Sequence, residues 1–528
     1  MALEEISSSP AIVVPVLLVA IFVYGIFGSS RLPDLPIVGA KPGEWFPLMR
    51  ARWRNRRDTK TAILFAYSNY RHQTCILPVA GINDHVLLPA SEFRWLIRQP
   101  ESEVNYCVEE EDQLNHVLFR NQRLLYTFIR NRLTPTVLTK EIYNLFPALL
   151  DEIRYTVDSL LGIDTENFHE ICVHNMVHKV SCQVMNRAFV GQSLSRNAEF
   201  HNAAIAYVAN IPTVVKLIRF TWRPLRTLVA LFLALPTRIR MWRIYDILGP
   251  EIERRLTALE VSSVDPELKA TENDFLQRMV DDTKLSSDPH RFKFDMLFGN
   301  ILGFNVSAMS TVSGTMMHAI VDLAHSKDEY LDELRVEIAS VIAKRGGRFD
   351  KQALASMVKL DSTMRESQRM NTILTVSVPR FVVKKGGIET PSGIRVPQGA
   401  AVAVPTYAMM HDAAIYPDPY TFKPFRFAGE PAAPDWGDGN INTQGSLPQA
   451  WVKGSPEYVG FGYGPHACPG RHIAAAGVKL TMAYIIAHYD FDIQGRRPKN
   501  NWSGTVRLGP QRTTVRIRRR KEKDISFT

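Results

Sequence analysis

The sequence predicts a mainly α fold with small β-sheets at its margin, set behind an N-terminal transmembrane helix. Three observations carry this prediction. Apolar residues recur at three- and four-residue steps over Val137 to Leu161 and over Asp295 to Ile342, the period of helices with a buried face. Strand-like stretches are few and short. An uncharged apolar run stands near the start of the chain.

That run, Ala11 to Phe27, reads AIVVPVLLVAIFVYGIF. At about 17 residues it lies near the lower limit for crossing a bilayer. Glu4 and Glu5 precede it, whereas a cleavable signal peptide, the second reading of this segment, has a positive leader and a small-residue cleavage site. Arginines follow the run and none precedes it. The positive-inside rule then makes residues 1–30 a single-pass anchor and leaves the rest in the cytosol. Residues 31–44 contain Leu32-Pro33-Asp34-Leu35-Pro36, whose prolines cannot continue a helix, and read as a stiff connector. Residues 45–528 carry no repeat and no linker-like tract before about residue 515, and are read as one catalytic domain.

Within that body, the pattern from Asp295 to Ile342 is too long for one helix. His325-Ser326-Lys327-Asp328 should break it, with Asp328 or a neighbour capping the second helix. Arg380 to Val383, Ile394 to Val396 and Ala400 to Pro405 read as short strands, with turns at Gly386-Gly387 and Ser392-Gly393. Arg512 to Arg518 alternates like another strand.

Hydrophobic residues make up 45% and charged residues 22%, as in ordinary globular proteins. The net charge of +10 is concentrated at the ends, from Arg50 to Arg57 and from Arg516 to Lys523. Solvated faces, anionic lipid headgroups and an acidic protein partner all fit that balance. No zinc-finger or RNA-binding signature supports nucleic acid. The five cysteines, Cys75, Cys107, Cys172, Cys182 and Cys468, are odd in number and have no paired spacing, which argues against a disulfide framework. Four of them read as small buried hydrophobes.

Cys468 is different. It lies in Phe461-Gly462-Tyr463-Gly464-Pro465-His466-Ala467-Cys468-Pro469-Gly470-Arg471, where glycines and prolines rule out regular structure. An amphipathic helix follows from His472 to Tyr489. The cysteine therefore precedes a helix N-terminus, where backbone N–H groups and the dipole favour a thiolate, a soft ligand that suits iron. On composition alone, a structural cysteine in a Gly-rich turn reads nearly as well.

The segment resembles the haem-binding signature of the cytochrome P450 superfamily, Phe-x-x-Gly-x-x-x-Cys-x-Gly, with Phe461, Gly464, Cys468 and Gly470 at its fixed positions. The resemblance implies a P450-like haem-thiolate fold, haem b with Cys468 as the axial iron ligand, and Phe461 and Gly462 in the haem-binding loop. His466 stands where the family usually has a propionate-pairing Arg. Three further features occur in the family's order. Glu366-Ser367-Gln368-Arg369 matches Glu-x-x-Arg, and Pro424-Phe425-Arg426-Phe427 matches its Pro-x-Arg-Phe segment, so Glu366, Arg369 and Arg426 are implied to form a buried network. Tyr126-Thr127-Phe128-Ile129-Arg130 is the best match to Trp-x-x-x-Arg. Arg130, and Arg380 in Pro379-Arg380-Phe381 at another propionate-pairing position, are by this resemblance candidate propionate partners, with ordinary surface charge as the alternative for both.

The expected oxygen-activating helix surrounds Asn300 to His318. Gly303, Ser307, Thr311 and Gly314 lie on one face, which a flat macrocycle could approach or a helix crossing could use. The family's acid–Thr pair reads here as Ser310-Thr311, with Thr315 as the rival position. Ser310 can pass a proton but cannot supply one by ionising. The resemblance, closest to fungal secondary-metabolism enzymes, implies a monooxygenase acting on a lipophilic terpenoid or polyketide intermediate at the endoplasmic reticulum membrane. NADPH would supply electrons through a separate flavoprotein reductase, with a b-type cytochrome as a further donor. A haem-thiolate isomerase or dehydratase, and a haem-based sensor, are the alternatives. The expected pocket walls are the segments around Glu101 to Asn115, Ala203 to Phe220 and Thr372 to Val378.

Overall fold

The computed structural model describes residues 32–80, 84–105, 142–221, 225–262, 272–285, 289–429, 450–492 and 495–521. The proposed anchor, Cys107 and Arg130 lie outside these residues. Among the described residues, no helix is long and apolar enough to cross a membrane.

Helices dominate, as expected. In chain order the principal ones are α1 (Pro47–Arg57), α2 (Thr59–Asn69), α3 (Phe93–Arg98), α4 (Phe146–Leu161), α5 (Val173–Val190), α6 (Ala198–Phe220), α7 (Arg226–Leu233), α8 (Leu235–Ser262), α9 (Phe275–Asp282), α10 (His290–Ala324), α11 (Asp328–Lys344), α12 (Val358–Met370) and α13 (Arg471–His488). At 1.5 Å per residue, α10 runs for roughly 50 Å through the core. Its flanks pack against α5, α8, α12 and α13, which accounts for apolar residues all round much of its length.

The break between α10 and α11 falls at His325 to Lys327. Ser326 Oγ donates to the carbonyl of Leu323, tying off the last turn. The expected capping role of Asp328 is corrected. Lys327 occupies the cap position without a side-chain bond, and Asp328 is the first helical residue. Its carboxylate, with that of Glu329, acts on the first turn through the helix dipole instead.

The expected strands are present within two residues at each end, except that the first begins three residues earlier, at Ser377. A five-stranded sheet has the order β1 (Cys75–Leu77), β2 (His85–Leu87), β8 (Ala401–Val404), β5 (Ser377–Val382), β3 (Val104–Asn105), with only β2 and β8 parallel. A second sheet joins β4 (His169–Cys172), β12 (Thr514–Arg519) and β9 (Tyr489–Asp492). Two hairpins, β6 (Ile388–Glu389) with β7 (Arg395–Val396) and β10 (Asn501–Ser503) with β11 (Val506–Leu508), complete the strands. The proline-rich connector is not a free spacer. Val38 N donates to Ile76 O at 2.9 Å, and Ile76 N donates to Pro36 O at 2.8 Å, so its end is paired onto β1.

The family-derived network is present and buried. Arg369 makes two bonds to Glu366, Nε to Oε2 at 2.7 Å and Nη2 to Oε1 at 3.0 Å. Arg426 Nε donates to both Glu366 oxygens at 3.0 Å. The remaining donors reach backbone carbonyls: Arg369 to Met410 and Pro419, Arg426 to Pro417, Asp418 and Thr421. One carboxylate on α12 thus holds two guanidiniums, which in turn hold the irregular 410–421 segment. Arg369→Ala should destabilise the fold by about 3–5 kcal/mol, because it leaves Glu366 buried with half its partners gone. Denaturant unfolding of Arg369→Ala beside an exposed-pair control, Lys521→Ala, would measure this. Equal midpoints for the two would contradict it.

Candidate haem-thiolate site

The cysteine loop owes its shape to contacts with α12. Gln368 Oε1 accepts from Trp451 Nε1 at 2.8 Å and from Tyr458 OH at 2.5 Å, while its Nε2 donates to Gly460 O at 3.3 Å. A Cβ on Gly460 would lie 2.3 Å from Gln368 Oε1, an oxygen already fixed by two donors. Glycine is therefore required there. Arg365 on the same helix donates to the carbonyls of Ala450 and Lys453 and stacks on the Tyr458 and Phe427 rings.

Beyond Gly460 the chain doubles back. Gly462 (φ 75°) and Gly464 (φ 71°) adopt left-handed conformations that other residues reach only with strain. The reversal lets Cys468 N donate to Phe461 O at 2.7 Å. Phe461 packs its ring 5.4 Å from that of Trp451 and against the core. On the other side, Ile97 of α3 sits 3.2 Å from where a Gly464 Cβ would be, and Phe93 of α3 lies 6.1 Å from Tyr463. The loop is thus wedged between α12 and α3. His466 falls in a single 3-10 turn, Gly464–His466, and its side chain is not among those described.

Cys468 stands just before α13, as expected, and it is exposed. Its thiol pKa is nevertheless raised, first by burial, which outweighs the lowering contributed by the Gly470 and Arg471 backbone N–H groups and by the Arg471 charge. The residue as a whole thus meets solvent while its thiol sits in a desolvating environment. The helix terminus acts in the expected direction, against a larger opposing effect of burial. A bound metal cation reverses that balance, since a coordinating thiol loses its proton outright.

Two other features stand out. Along the middle of α10, Ser307, Ser310 and Thr311 are exposed and Gly303, Gly314 and Thr315 are partly so, as are Val306 and Ala308. Thr311 Oγ1 donates to Ser307 O at 2.7 Å, and Thr315 Oγ1 donates to Thr311 O at 2.8 Å. Each hydroxyl thus spends its proton on the helix and presents lone pairs outward. Ile373 comes within 3.9 Å of where a Gly314 Cβ would stand, bringing the predicted Thr372 to Val378 wall to this part of α10. Arg380 is only 2% exposed, so the surface-charge reading of it fails. It follows a β-bulge between Ser377 and Arg380 that contains Pro379, the kind of irregularity that re-aims a side chain.

The other predicted walls are less open. Ala203, Ala204, Tyr207, Val208, Ile211 and Val214 of α6 are core residues. Of Glu101 to Asn115 only the first five residues are described, and β3 there pairs with β5.

Sequence reasoning missed the support behind Ile373. Asp322, buried on α10, accepts from Ser367 Oγ (2.7 Å), Asn371 Nδ2 (2.7 Å) and Arg497 Nε (2.6 Å). Arg507 donates to Asn371 Oδ1 and Met370 O, its backbone N–H to Ile373 O at 2.8 Å, and Thr375 N donates to Thr505 O at 3.0 Å. A lone acid in an apolar helical stretch was the available signal.

A cysteine donor just before a helix N-terminus, a run of exposed small and hydroxylated residues on α10, and a buried guanidinium fit a flat, anionic, iron-bearing macrocycle. The cytochrome P450 family model matches residues 97–516. The chain belongs to the cytochrome P450 family. As such it is an oxidoreductase of the P450 monooxygenase type, and it is similar to fungal members of the family. It is 31% identical over 386 residues to cytochrome P450 monooxygenase 151 of Postia placenta, covering 73% of this chain and 74% of that one. It is 28% identical over 494 residues to the P450 monooxygenase gloP of Glarea lozoyensis, covering 90% of each. With the P450 monooxygenase polB of Polytolypa hystricis it shares 25% over 509 residues, 93% of this chain and 94% of the other.

Cys468→Ser should fold and lose the long-wavelength Soret band of the reduced carbon-monoxide complex that gives the family its name. Difference spectroscopy of the purified variant checks this, and a surviving band would overturn the assignment of Cys468 as ligand.

Proposed function

We propose that this P450 inserts one oxygen atom from O2 into a lipophilic secondary-metabolite intermediate of terpenoid or polyketide type. The observation that carries the reading is the exposed Cys468 just before the N-terminus of α13, in a chain whose α10 keeps the hydroxyl-bearing residues Ser307, Ser310 and Thr311 open. When bound, thiolate-ligated haem supplies the oxygen activation, drawing on two electrons and O2. In this reading Cys468 holds the iron, Phe461 and Gly462 shape the loop around it, and Arg380, His466 and Arg130 hold the propionates. Thr311 orients water with its outward lone pairs, and Ser310 beside it passes protons without supplying them. Leu374, 46% exposed next to Ile373, offers apolar surface to a substrate.

NADPH enters through a separate flavoprotein reductase, with a b-type cytochrome as a further donor. Residues 1–30 anchor the chain to the endoplasmic reticulum membrane, residues 31–44 connect, and residues 45–528 form the catalytic domain in the cytosol. Lipid contact by the body has its own support. Leu228, Leu231, Phe232, Leu235 and Trp242 of α7 and α8 are exposed, Phe232 to 78%, with Arg238, Arg240 and Arg243 beside them.

Thr311→Ala should retain the carbon-monoxide band, while product per NADPH falls by roughly tenfold or more and hydrogen peroxide rises. Full coupling in Thr311→Ala with uncoupling in Thr315→Ala would move the role one turn along. Substrate conversion without consumption of NADPH and O2 would favour an isomerase or dehydratase.

Removing residues 1–30 should shift much of the protein out of the membrane fraction after an alkaline wash, leaving a salt-sensitive peripheral fraction. Unchanged fractionation would reject the anchor.

A further inference from the structure

Between the end of α12 and the start of β5 the chain runs without regular structure, and its residues divide by burial. Asn371, Thr372 and Thr375 are buried, whereas Ile373 is half-buried and Leu374 is 46% exposed. An irregular segment cannot satisfy its own backbone, so its conformation is set by whatever supplies the bonds. Arg507 of β11 bonds this one at three places. Its backbone N–H donates to Ile373 O at 2.8 Å, its Nη1 to Met370 O, and its Nη2 to Asn371 Oδ1 at 3.1 Å. The rest of the hairpin continues the hold. Leu374 forms a bridge with Val506, and Thr505 O accepts from both the backbone N–H (3.0 Å) and the hydroxyl (2.7 Å) of Thr375.

The guanidinium is itself fixed. It lies 5.4 Å from the ring centroid of Tyr407 and 5.9 Å from that of Trp502, its partner across the hairpin. Burial lowers its pKa to about 10, so it stays charged at neutral pH. Asn371 extends the hold to α10. Its Oδ1 faces Arg507 and its Nδ2 donates to Asp322 at 2.7 Å, so charged groups of opposite sign fix the two ends of one amide. Asp322 is tied in turn to Ser367 and Arg497. Ile373 meets the same helix at Gly314, 3.9 Å from where a Cβ would stand. A buried ion network adds little stability over apolar packing; what it adds here is one fixed geometry for the segment.

We propose that Arg507 is a positioning residue for substrate selection. By bonding Met370, Asn371 and Ile373 at once it fixes where Leu374 stands relative to α10, a role that rests on the reading of Leu374 as substrate-facing surface. Arg507 itself need not touch substrate. The residues it presents are Ile373 and Leu374, so the group it selects is apolar. The forked guanidinium matters, because a lysine keeps the charge but cannot reach two acceptors in one plane.

The test is equilibrium binding of two iron-coordinating probes, imidazole and 4-phenylimidazole, to the holoenzyme, followed by the shift of the Soret band. The probes share the coordinating ring and differ by one phenyl group. The ratio of their dissociation constants therefore reads the apolar wall and cancels effects on the iron. Leu374→Ala should weaken 4-phenylimidazole by roughly fivefold and leave imidazole unchanged. Arg507→Met should do the same with the carbon-monoxide band retained, and Arg507→Lys should fall between Arg507→Met and wild type. Arg335→Ala, which removes bonds from α11 to Ile486, Tyr489 and Asp490, is the control for lost stability and should keep the wild-type ratio. If Arg507→Met yields no folded holoenzyme, Arg507→Lys carries the test, and a wild-type ratio there overturns the proposal. If Leu374→Ala changes the ratio while neither Arg507 variant does, Arg507 has no such role and Leu374 remains a substrate contact. If no variant moves the ratio, the reading of Leu374 falls as well. A change of equal size in Arg335→Ala would trace the effect to stability and overturn the positioning role.

Discussion

Glu366 is a carboxylate with no access to solvent, and much of this molecule is arranged around the cost of keeping it there. Two guanidiniums neutralise it more than once over, and the surplus positive charge is spread onto the carbonyls of residues that form no helix or strand. An irregular segment cannot satisfy its own backbone, so it needs fixed donors. Arg369 and Arg426 provide them. The same helix, through Asp361, Ser362, Arg365 and Gln368, binds the segments that lead into the cysteine loop. The position of the sulfur is thus inherited from α12, although no atom of α12 belongs to the reacting centre.

The site combines opposing tendencies. Burial pushes the Cys468 thiol up while the α13 terminus pulls it down, and the balance favours the neutral form until a cation is bound. On α10 the threonine hydroxyls are satisfied internally, which keeps the helix continuous there and turns acceptors outward. Further along α10, Asp322 gathers donors from α12 and from the chain's C-terminal region, so the wall carrying Ile373 and Leu374 is fixed from below by charge and from the side by the β10–β11 hairpin. Rigid support around one open face is what a site for selective C–H chemistry requires.

The legible parts of the sequence were those whose physics is local. Periodicity placed α10 and α11, Gly and Pro density marked the cysteine loop, and the i, i+3 spacing put Glu366 and Arg369 on one face. What could not be read depends on partners distant along the chain. Gln368 looks like any helical surface residue until Trp451 and Tyr458 reach it, and Arg380 reads as an exposed strand charge until the bulge at Pro379 turns it inward. The thiol's preference for its neutral form was also hidden, because a helix terminus shows in sequence while desolvation does not. Arg130 and the anchor segment lie outside the described residues, and their roles rest on the resemblance and on charge pattern.

The sheet β4–β12–β9 carries a consequence for how the protein is made. Its middle strand is contributed by residues 514–519, and Val515 and Ile517 on that strand are core residues. Arg519 also reaches back to Asp158, closing against α4. Strand β4, directly before α5, therefore waits for a partner more than three hundred residues away. During synthesis the N-terminal half must persist with an unpaired edge and an incomplete core, the condition in which chains aggregate or recruit chaperones. Expression yield should thus depend on β12 reaching β4 as much as on the helices.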